Sequence, residues 1–264
     1  MDTKMIFFDI DGTLLPEGEK DIPESTVKAL RMAKENGHLI FINSGRTSFN
    51  IDESIRSLGF DGYVCGCGTY IYFKDQLLLG QTIPHRQCLE VIRLLRDCRI
   101  AGFFEENSYI FFDDQSPVVS DFLEDARRLF GTRGFVTPDF FSDEKYTFDK
   151  ILVKIQPDSD YETFRKYVDE HFEYIDRGDN IAEIIQKGYS KATGIQFLCD
   201  YLNIPLENCY AVGDSTNDLS MLEYVPNSIA MGNSMPEIIP YCSYVTTDIK
   251  KDGIYHALKH FNII

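Results

Sequence analysis

Two carboxylates one residue apart, Asp9 and Asp11, follow the apolar run Met5-Ile6-Phe7-Phe8 and lead into Gly12-Thr13-Leu14. In a strand, residues two apart point to the same face, so the two charges converge where the strand runs out. That convergence is unfavourable unless a cation or a proton neutralises it. A second acidic cluster, Gly213-Asp214-Ser215-Thr216-Asn217-Asp218, follows the apolar stretch Cys209-Tyr210-Ala211-Val212. Parallel α/β sheets gather the carboxyl ends of their strands around one crevice, where the two clusters would meet. Together they suggest a divalent-metal site next to a carboxylate nucleophile. Asp9 is the candidate nucleophile, attacking phosphorus to form an aspartyl-phosphate. Asp11 is the candidate general acid toward the leaving alkoxide and then the base that activates water, roles that require pKa values pushed apart. The bland alternative, that Asp9 and Asp11 make turns or cap a helix, loses force beside the motifs that follow.

Ser44-Gly45-Arg46 ends a second apolar run. Hydroxyl and backbone N–H donors there suit a phosphoryl oxygen, and Arg46 would reach another part of a substrate. Lys187-Gly188-Tyr189-Ser190-Lys191 places two cations before a helix. Lys191 is preferred, since the first helical turn fixes its position, and it would stabilise phosphoryl charge and reduce repulsion among the carboxylates. Asp214 is the third metal-ligand candidate. Asn217 would orient substrate or a metal-bound water, and Asp218 would brace the ligands from behind. Hard oxygen donors without a nearby His or Cys favour Mg²⁺ over zinc. His38, His85, His171, His256 and His260 form no cluster in the sequence.

The chain of 264 residues has a net charge of −16 and a pI near 4.7, which argues against nucleic acid as a partner. A phosphorylated small molecule remains a suitable partner if positive charge is focused locally. The apolar run before Asp9, Met5 to Phe8, has only four residues, short of a signal-peptide core, and no run approaches the ~18 apolar residues of a membrane span. The seven cysteines, odd in number and irregularly spaced, read as reduced thiols of a cytoplasmic protein. Cys65-Gly66-Cys67 reads as a strand end entering a turn, since no second Cys/His pair completes a zinc set.

The elements needed to hold these groups follow from hydrophobic periodicity. A strand before Asp9, a helix over 23–36, a strand over 38–43, a helix over 48–58 and a strand at 63–64 give the βαβα pattern of a doubly wound parallel sheet, and a hairpin is expected around Lys74-Asp75. Residues 83–185 differ in character, with twelve of the twenty phenylalanines and twenty-two acidic against thirteen basic residues. They read as an inserted α+β module: helix 85–97, strands within 100–112, helix 118–130, a loop, strand 150–156, helix 159–172 and strand 181–185. The α/β pattern then resumes with helix 190–202, strand 210–212, a short helix 218–223, strands 228–231 and 243–245, and a C-terminal helix. The expected division is a core of 1–82 and 186–264 and an inserted cap of 83–185. Inserted domains over a crevice commonly act as lids. Glu105, Glu106, Arg177 and Asp179 are weak candidates for selectivity there.

In order and spacing, Asp9-x-Asp11-Gly12-Thr13, Ser44-Gly45-Arg46, Lys-Gly-x-Ser-Lys191 and Gly213-Asp214-x-x-Asn217-Asp218 resemble the four motifs of the haloacid dehalogenase superfamily of phosphohydrolases. The long insertion between the second and third motifs is similar to the class IIB α/β cap of its Cof-type sugar-phosphatase branch, and Ala230-Met231-Gly232-Asn233 matches a segment usual after the last motif. The resemblance implies Mg²⁺ held by the Asp9 carboxylate, the Asp11 main-chain carbonyl and Asp214. It places Thr13, Ser44, Gly45, Arg46, Lys191 and Asn217 around phosphate or substrate. The chain departs from the pattern at Cys67-Gly68-Thr69, where similar proteins have Asn-Gly-Ala, and at Ala192, where Gly is usual. The activity implied is Mg²⁺-dependent hydrolysis of small phosphomonoesters, sugar phosphates foremost, with a phosphomutase or a non-catalytic phosphosugar or metal sensor as alternatives. Asp11 beside Asp9 counts against mere storage of a phosphoryl group.

Overall fold

The computed structural model describes residues 2–19, 21–131 and 143–264. The chain begins with β1 (Met5–Phe8), α1 (Glu24–Glu35), β2 (Leu39–Asn43), α2 (Glu53–Arg56), β3 (Gly62–Cys65), β4 (Tyr70–Phe73) and β5 (Gln76–Gly80). It continues through α3 (His85–Asp97), β6 (Ala101–Glu105), β7 (Ile110–Phe112), α4 (Asp121–Phe130), β8 (Lys150–Lys154), α5 (Tyr161–His171), β9 (Phe172–Asp176) and β10 (Ile181–Gln186). It closes with α6 (Lys191–Leu202), β11 (Cys209–Gly213), α7 (Leu219–Tyr224), β12 (Asn227–Ala230), β13 (Tyr244–Val245) and α8 (Gly253–His260). Two compact units result: Met1–Arg46, Asn50–Leu79 and Tyr189–Ile264 form one, Thr47–Phe49 and Gly80–Gly188 the other.

In the first unit an eight-stranded sheet runs β13-β12-β11-β1-β2-β3-β4-β5. It is parallel from β13 to β3, and β4 pairs antiparallel with β3. The central strand β1 is apolar at every position because both of its faces are covered. Ile6 and Phe8 pack on one side with Ala29 and Leu30 of α1 and Ala257 and Leu258 of α8. Met5 and Phe7 pack on the other with Ile195 and Leu198 of α6 and Met221 and Leu222 of α7. This is the doubly wound arrangement expected. Lys74 and Asp75 both take positive φ, 47° and 63°, the conformation that a two-residue type I′ hairpin requires.

One expectation fails here. The single helix over 48–58 is broken into a 3₁₀ turn, Ser48–Asn50, and the short α2, with Asp52 extended between them.

The second unit holds a five-stranded sheet ordered β7-β6-β8-β10-β9, all neighbours antiparallel. Phe104, Ile151 and Ile184 face Val91, Ile92 and Leu95 of α3 and Phe164 and Val168 of α5. Phe103, Phe112 and Leu152 point the other way and pack with Phe122, Ala126 and Phe130 of α4. On that second face Lys150, 3% exposed, ion-pairs with Glu105 at 3.3 Å and Glu183 at 3.7 Å; Thr47 Oγ1 donates to Glu105 at 3.5 Å. Two helices are shorter than expected, at Asp121–Phe130 and Tyr161–His171, and Phe172–Asp176 adds a strand that periodicity did not suggest. Most of the loop expected after residue 130 falls on 132–142, outside the described residues.

Candidate active site

β1 ends at Phe8, and Asp9 continues it by one ladder bond, its N–H donating to Val212 O at 3.0 Å. The chain then folds back: the N–H groups of Leu14 and Leu15 both reach Ile10 O at 2.9 Å. Gly12 takes a φ of +81°, and a Cβ there would lie 2.3 Å from Asp214 Oδ2. Only glycine allows this approach. Thr13 Oγ1 donates to Asp214 Oδ1 at 2.7 Å, fixing that carboxylate. Expected beside the phosphate, Thr13 is buried and committed to Asp214.

β11 delivers Asp214 by the same device, one residue past its end. Asp218 Oδ2 accepts from the N–H of Asp214 at 2.9 Å and of Ser215 at 3.1 Å. A Cβ at Gly213 would lie 2.6 Å from that same oxygen. Lys191 opens α6. Ser190 caps the helix, accepting from Thr193 N–H at 3.2 Å, while Ser190 N–H donates to Thr193 Oγ1 at 2.9 Å. This reciprocal cap holds the first turn rigidly. Lys191 Nζ donates to Asp9 Oδ1 at 2.6 Å and to Asp218 Oδ1. Asn43, at the end of β2, adds a bond from Nδ2 to Lys191 O at 3.0 Å.

Asp9, Asp214 and Asp218 each bring a carboxylate oxygen within 4.8 Å of the others. Burial raises the Asp9 pKa to about 7, helped by the charge of Asp218 and opposed by Lys191. Burial and the charges of Asp218 and Asp9 raise Asp214 to about 8, against the Thr13 hydroxyl and Lys191. Burial works against the Lys191 ammonium, yet the charges of Asp218 and Asp9 outweigh it and its pKa is raised. One ammonium among three buried carboxylates leaves negative charge uncompensated. An all-oxygen donor set of this kind suits a hard divalent cation, with Asp9 and Asp214 as the residues to hold it.

Asp11 stands apart from that cluster, its side chain 51% exposed. Arg46, expected to reach a substrate, grips it instead: Nε donates to Asp11 Oδ2 at 2.9 Å and Nη2 to Asp11 Oδ1 at 2.6 Å, while Nη1 reaches Asn50 O and Asp52. Ser44 is buried; its Oγ accepts from Arg46 N–H at 3.2 Å and its carbonyl from Cys67 N–H at 3.2 Å. Asn217 Oδ1 accepts from Ser215 Oγ at 2.6 Å. Gly45 lies between Ser44 and Arg46 in the turn after β2. Lys187 is engaged elsewhere, its Nζ donating to the carbonyls of Asp169 and Glu170 at the end of α5.

Two positioning groups escaped the sequence reading. Asn43 was visible only as a polar end to an apolar run. Asn233, noted within a motif but given no role, donates from Nδ2 to Gly12 O at 2.8 Å and accepts from Ile249 N–H at 3.0 Å. Cys67 takes a φ of 55° between Gly66 and Gly68, and a Cβ at Gly68 would lie 2.3 Å from Ser190 O. Asn tolerates left-handed backbone better than Cys, so the departure at this position bears on backbone strain beside the α6 cap.

Known proteins resemble the chain over nearly its whole length. A family described as haloacid dehalogenase-like hydrolase matches residues 6–258. "Putative phosphatase YkrA" of Bacillus subtilis (strain 168) is 30% identical over 268 residues, covering 100% of both chains. The 5-amino-6-(5-phospho-D-ribitylamino)uracil phosphatase YitU of the same organism is 27% identical and covers 99% of each. The solved structure of the HAD subclass IIB sugar phosphatase BT4131 superposes with a TM-score of 0.82 at 27% identity, covering 99% of this chain and 100% of that one. The chain belongs to the haloacid dehalogenase-like hydrolases.

Proposed function

We propose that the protein is a Mg²⁺-dependent phosphatase of small phosphomonoesters, sugar phosphates foremost, working through an aspartyl-phosphate on Asp9. The observation that carries this reading is the Asp9 carboxylate itself, buried, hydrogen-bonded to Lys191 through Oδ1 and within reach of Asp214 and Asp218. The names of YkrA, YitU and BT4131 support the reaction class.

Asp9 attacks phosphorus, forming an O–P bond as the bond to the leaving oxygen breaks. Lys191 offsets the charge gathered on the phosphoryl oxygens, with Ser44 and Asn217 as further donors once they release their present partners. Asp9 and Asp214 would hold Mg²⁺, which would supply the charge neutralisation that keeps Asp9 ionised beside its acidic neighbours. Asp11 protonates the leaving alkoxide and then takes a proton from the water that attacks the aspartyl-phosphate. For this, Asp11 must leave its bidentate pair with Arg46, so Arg46 acts as a positioning residue that parks the acid at the rim. The second unit, residues 80–188 with 47–49, is assigned to leaving-group selectivity.

The test is phosphate release from a panel of phosphorylated sugars, nucleotides and cofactor precursors, with Mg²⁺ and after chelation. Mg²⁺-dependent release with a preference among sugar phosphates is expected. Equal release in rigorously metal-free buffer would overturn the metal assignment, and isomerised product without free phosphate would favour a mutase.

A further inference from the structure

Cys199 and Cys209 lie outside the catalytic cluster, yet their Sγ atoms are 3.4 Å apart. Cys199 is on α6, whose first residue is Lys191; Cys209 opens β11, the strand that ends next to Asp214. The intervening chain is short: Asn203 ends α6 in left-handed backbone, Ile204 N–H returns to Cys199 O at 3.1 Å, and a 3₁₀ turn over Leu206–Asn208 leads into β11. Cys199 is partly exposed and Cys209 fully buried. Neither thiol is used by the phosphoryl-transfer machinery.

We propose that Cys199 and Cys209 form a reversible disulfide when the protein meets a hydroperoxide, stapling the helix that carries Lys191 to the strand that leads to Asp214. Cys199 is the peroxide-reactive sulfur because it is the accessible one. Its thiol is also held below the ordinary range by the hydrogen bond from Cys209, burial opposing, whereas Cys209 is held above it. A thiolate, not a thiol, is the nucleophile toward peroxide.

The steps balance. The Cys199 thiolate attacks one peroxide oxygen, the O–O bond breaks, and after protonation a sulfenic acid and water (or an alcohol) are produced. Cys209 sulfur then attacks the sulfenic sulfur, its proton leaving with the hydroxyl as a second water. Two thiols are oxidised and one peroxide is reduced. A dithiol reductant reverses the change by thiol–disulfide exchange. Little movement is needed, since bonded sulfurs lie about 2.0 Å apart.

The experiment treats the whole protein with one equivalent of hydrogen peroxide, unfolds it and titrates thiols. The count should fall from seven to five, with a linked peptide pair containing Cys199 and Cys209, restored by dithiothreitol. The oxidised form should melt roughly 3–8 °C higher, as expected for a short closed loop. Cys199→Ser and Cys209→Ala should abolish both effects while keeping reduced-state phosphatase activity, and Cys242→Ser should keep both. Should Cys209→Ala fail to fold, Cys199→Ser, altered at a partly exposed position, carries the test alone. Seven surviving thiols, a bridge between other cysteines, or progression of Cys199 to sulfinic acid without bridging would overturn the proposal.

Discussion

Lys191 and Lys150 are both almost wholly buried, and each is flanked by two carboxylates. Their surroundings differ in how the carboxylates arrive. Glu105 stands directly across from Lys150 in the antiparallel register of β6 and β8, and Glu183 lies diagonally on β10. That is a cross-strand arrangement in which charge is paired by the ladder itself. Around Lys191, Asp9 and Asp214 come from the ends of adjacent parallel strands and converge beyond the last ladder bonds, with Asp218 behind them. Burial first, and then the neighbouring negative charge, raises the pKa values of Asp9 and Asp214. The two buried clusters thus differ in where their carboxylates converge, and in how many of them share one ammonium, rather than in the presence of an ion pair.

The strongest test of this contrast is Asp9→Asn, expected to lower kcat/KM by about 10⁴-fold or more because an amide is a poor nucleophile, while circular dichroism and Tm stay near wild type. Near-normal turnover would end the distinction between the two clusters. Lys191→Ala should cost on the order of 10²–10³-fold on every phosphomonoester, including an activated aryl phosphate, as for loss of one well-placed donor. Lys150→Met should behave in the opposite way. Removing the ammonium from beside Glu105 and Glu183 should cost about 3–5 kcal/mol of stability, read in a denaturant titration, with aryl phosphate turnover at low temperature little changed. If Lys150→Met removed turnover from a folded protein, the second cluster too would have to be read as chemical.

The smallest expected effect is in the pH dependence of stability without metal. Asp9 and Asp214 rise from 3.8 when unfolded to about 7 and about 8 when folded. The folded protein thus holds protons that the unfolded chain has released, and stability falls as pH rises. Their contribution is complete below about pH 4 and is lost as pH passes through 7 to 8. The Tm of chelated wild type minus that of chelated Asp214→Asn should decline from pH 5 to pH 8, and added Mg²⁺ should raise the wild-type Tm more at pH 8 than at pH 5. A difference that grows with pH would contradict the charge excess.

Much of the sheet was legible because β1, β2 and β11 are short, continuous apolar runs, as strands covered on both faces must be. The convergence of Asp9 with Asp214 was legible for the same reason, since each directly follows such a run. The strand Phe172–Asp176 was not, because it follows His171 of α5 without a Gly or Pro to mark the change. Arg46 was read as facing outward to a substrate, while its partner Asp11 lies 35 positions away and nothing local encodes that pairing. The role of Thr13 was equally hidden, because Asp214 is 201 positions distant.

That distance has a consequence in time. Asp9 leaves the ribosome 182 positions ahead of Lys191, roughly 10–35 s at ~5–20 residues per second. Between them the whole second unit, with its own hydrophobic core, is translated and can collapse. Until β11 emerges, β1 has β2 as a neighbour but lacks the strand against its other edge. The growing chain thus carries an apolar strand with an open edge and no assembled charge cluster. That interval is when pairing with a neighbouring nascent chain competes most strongly with folding.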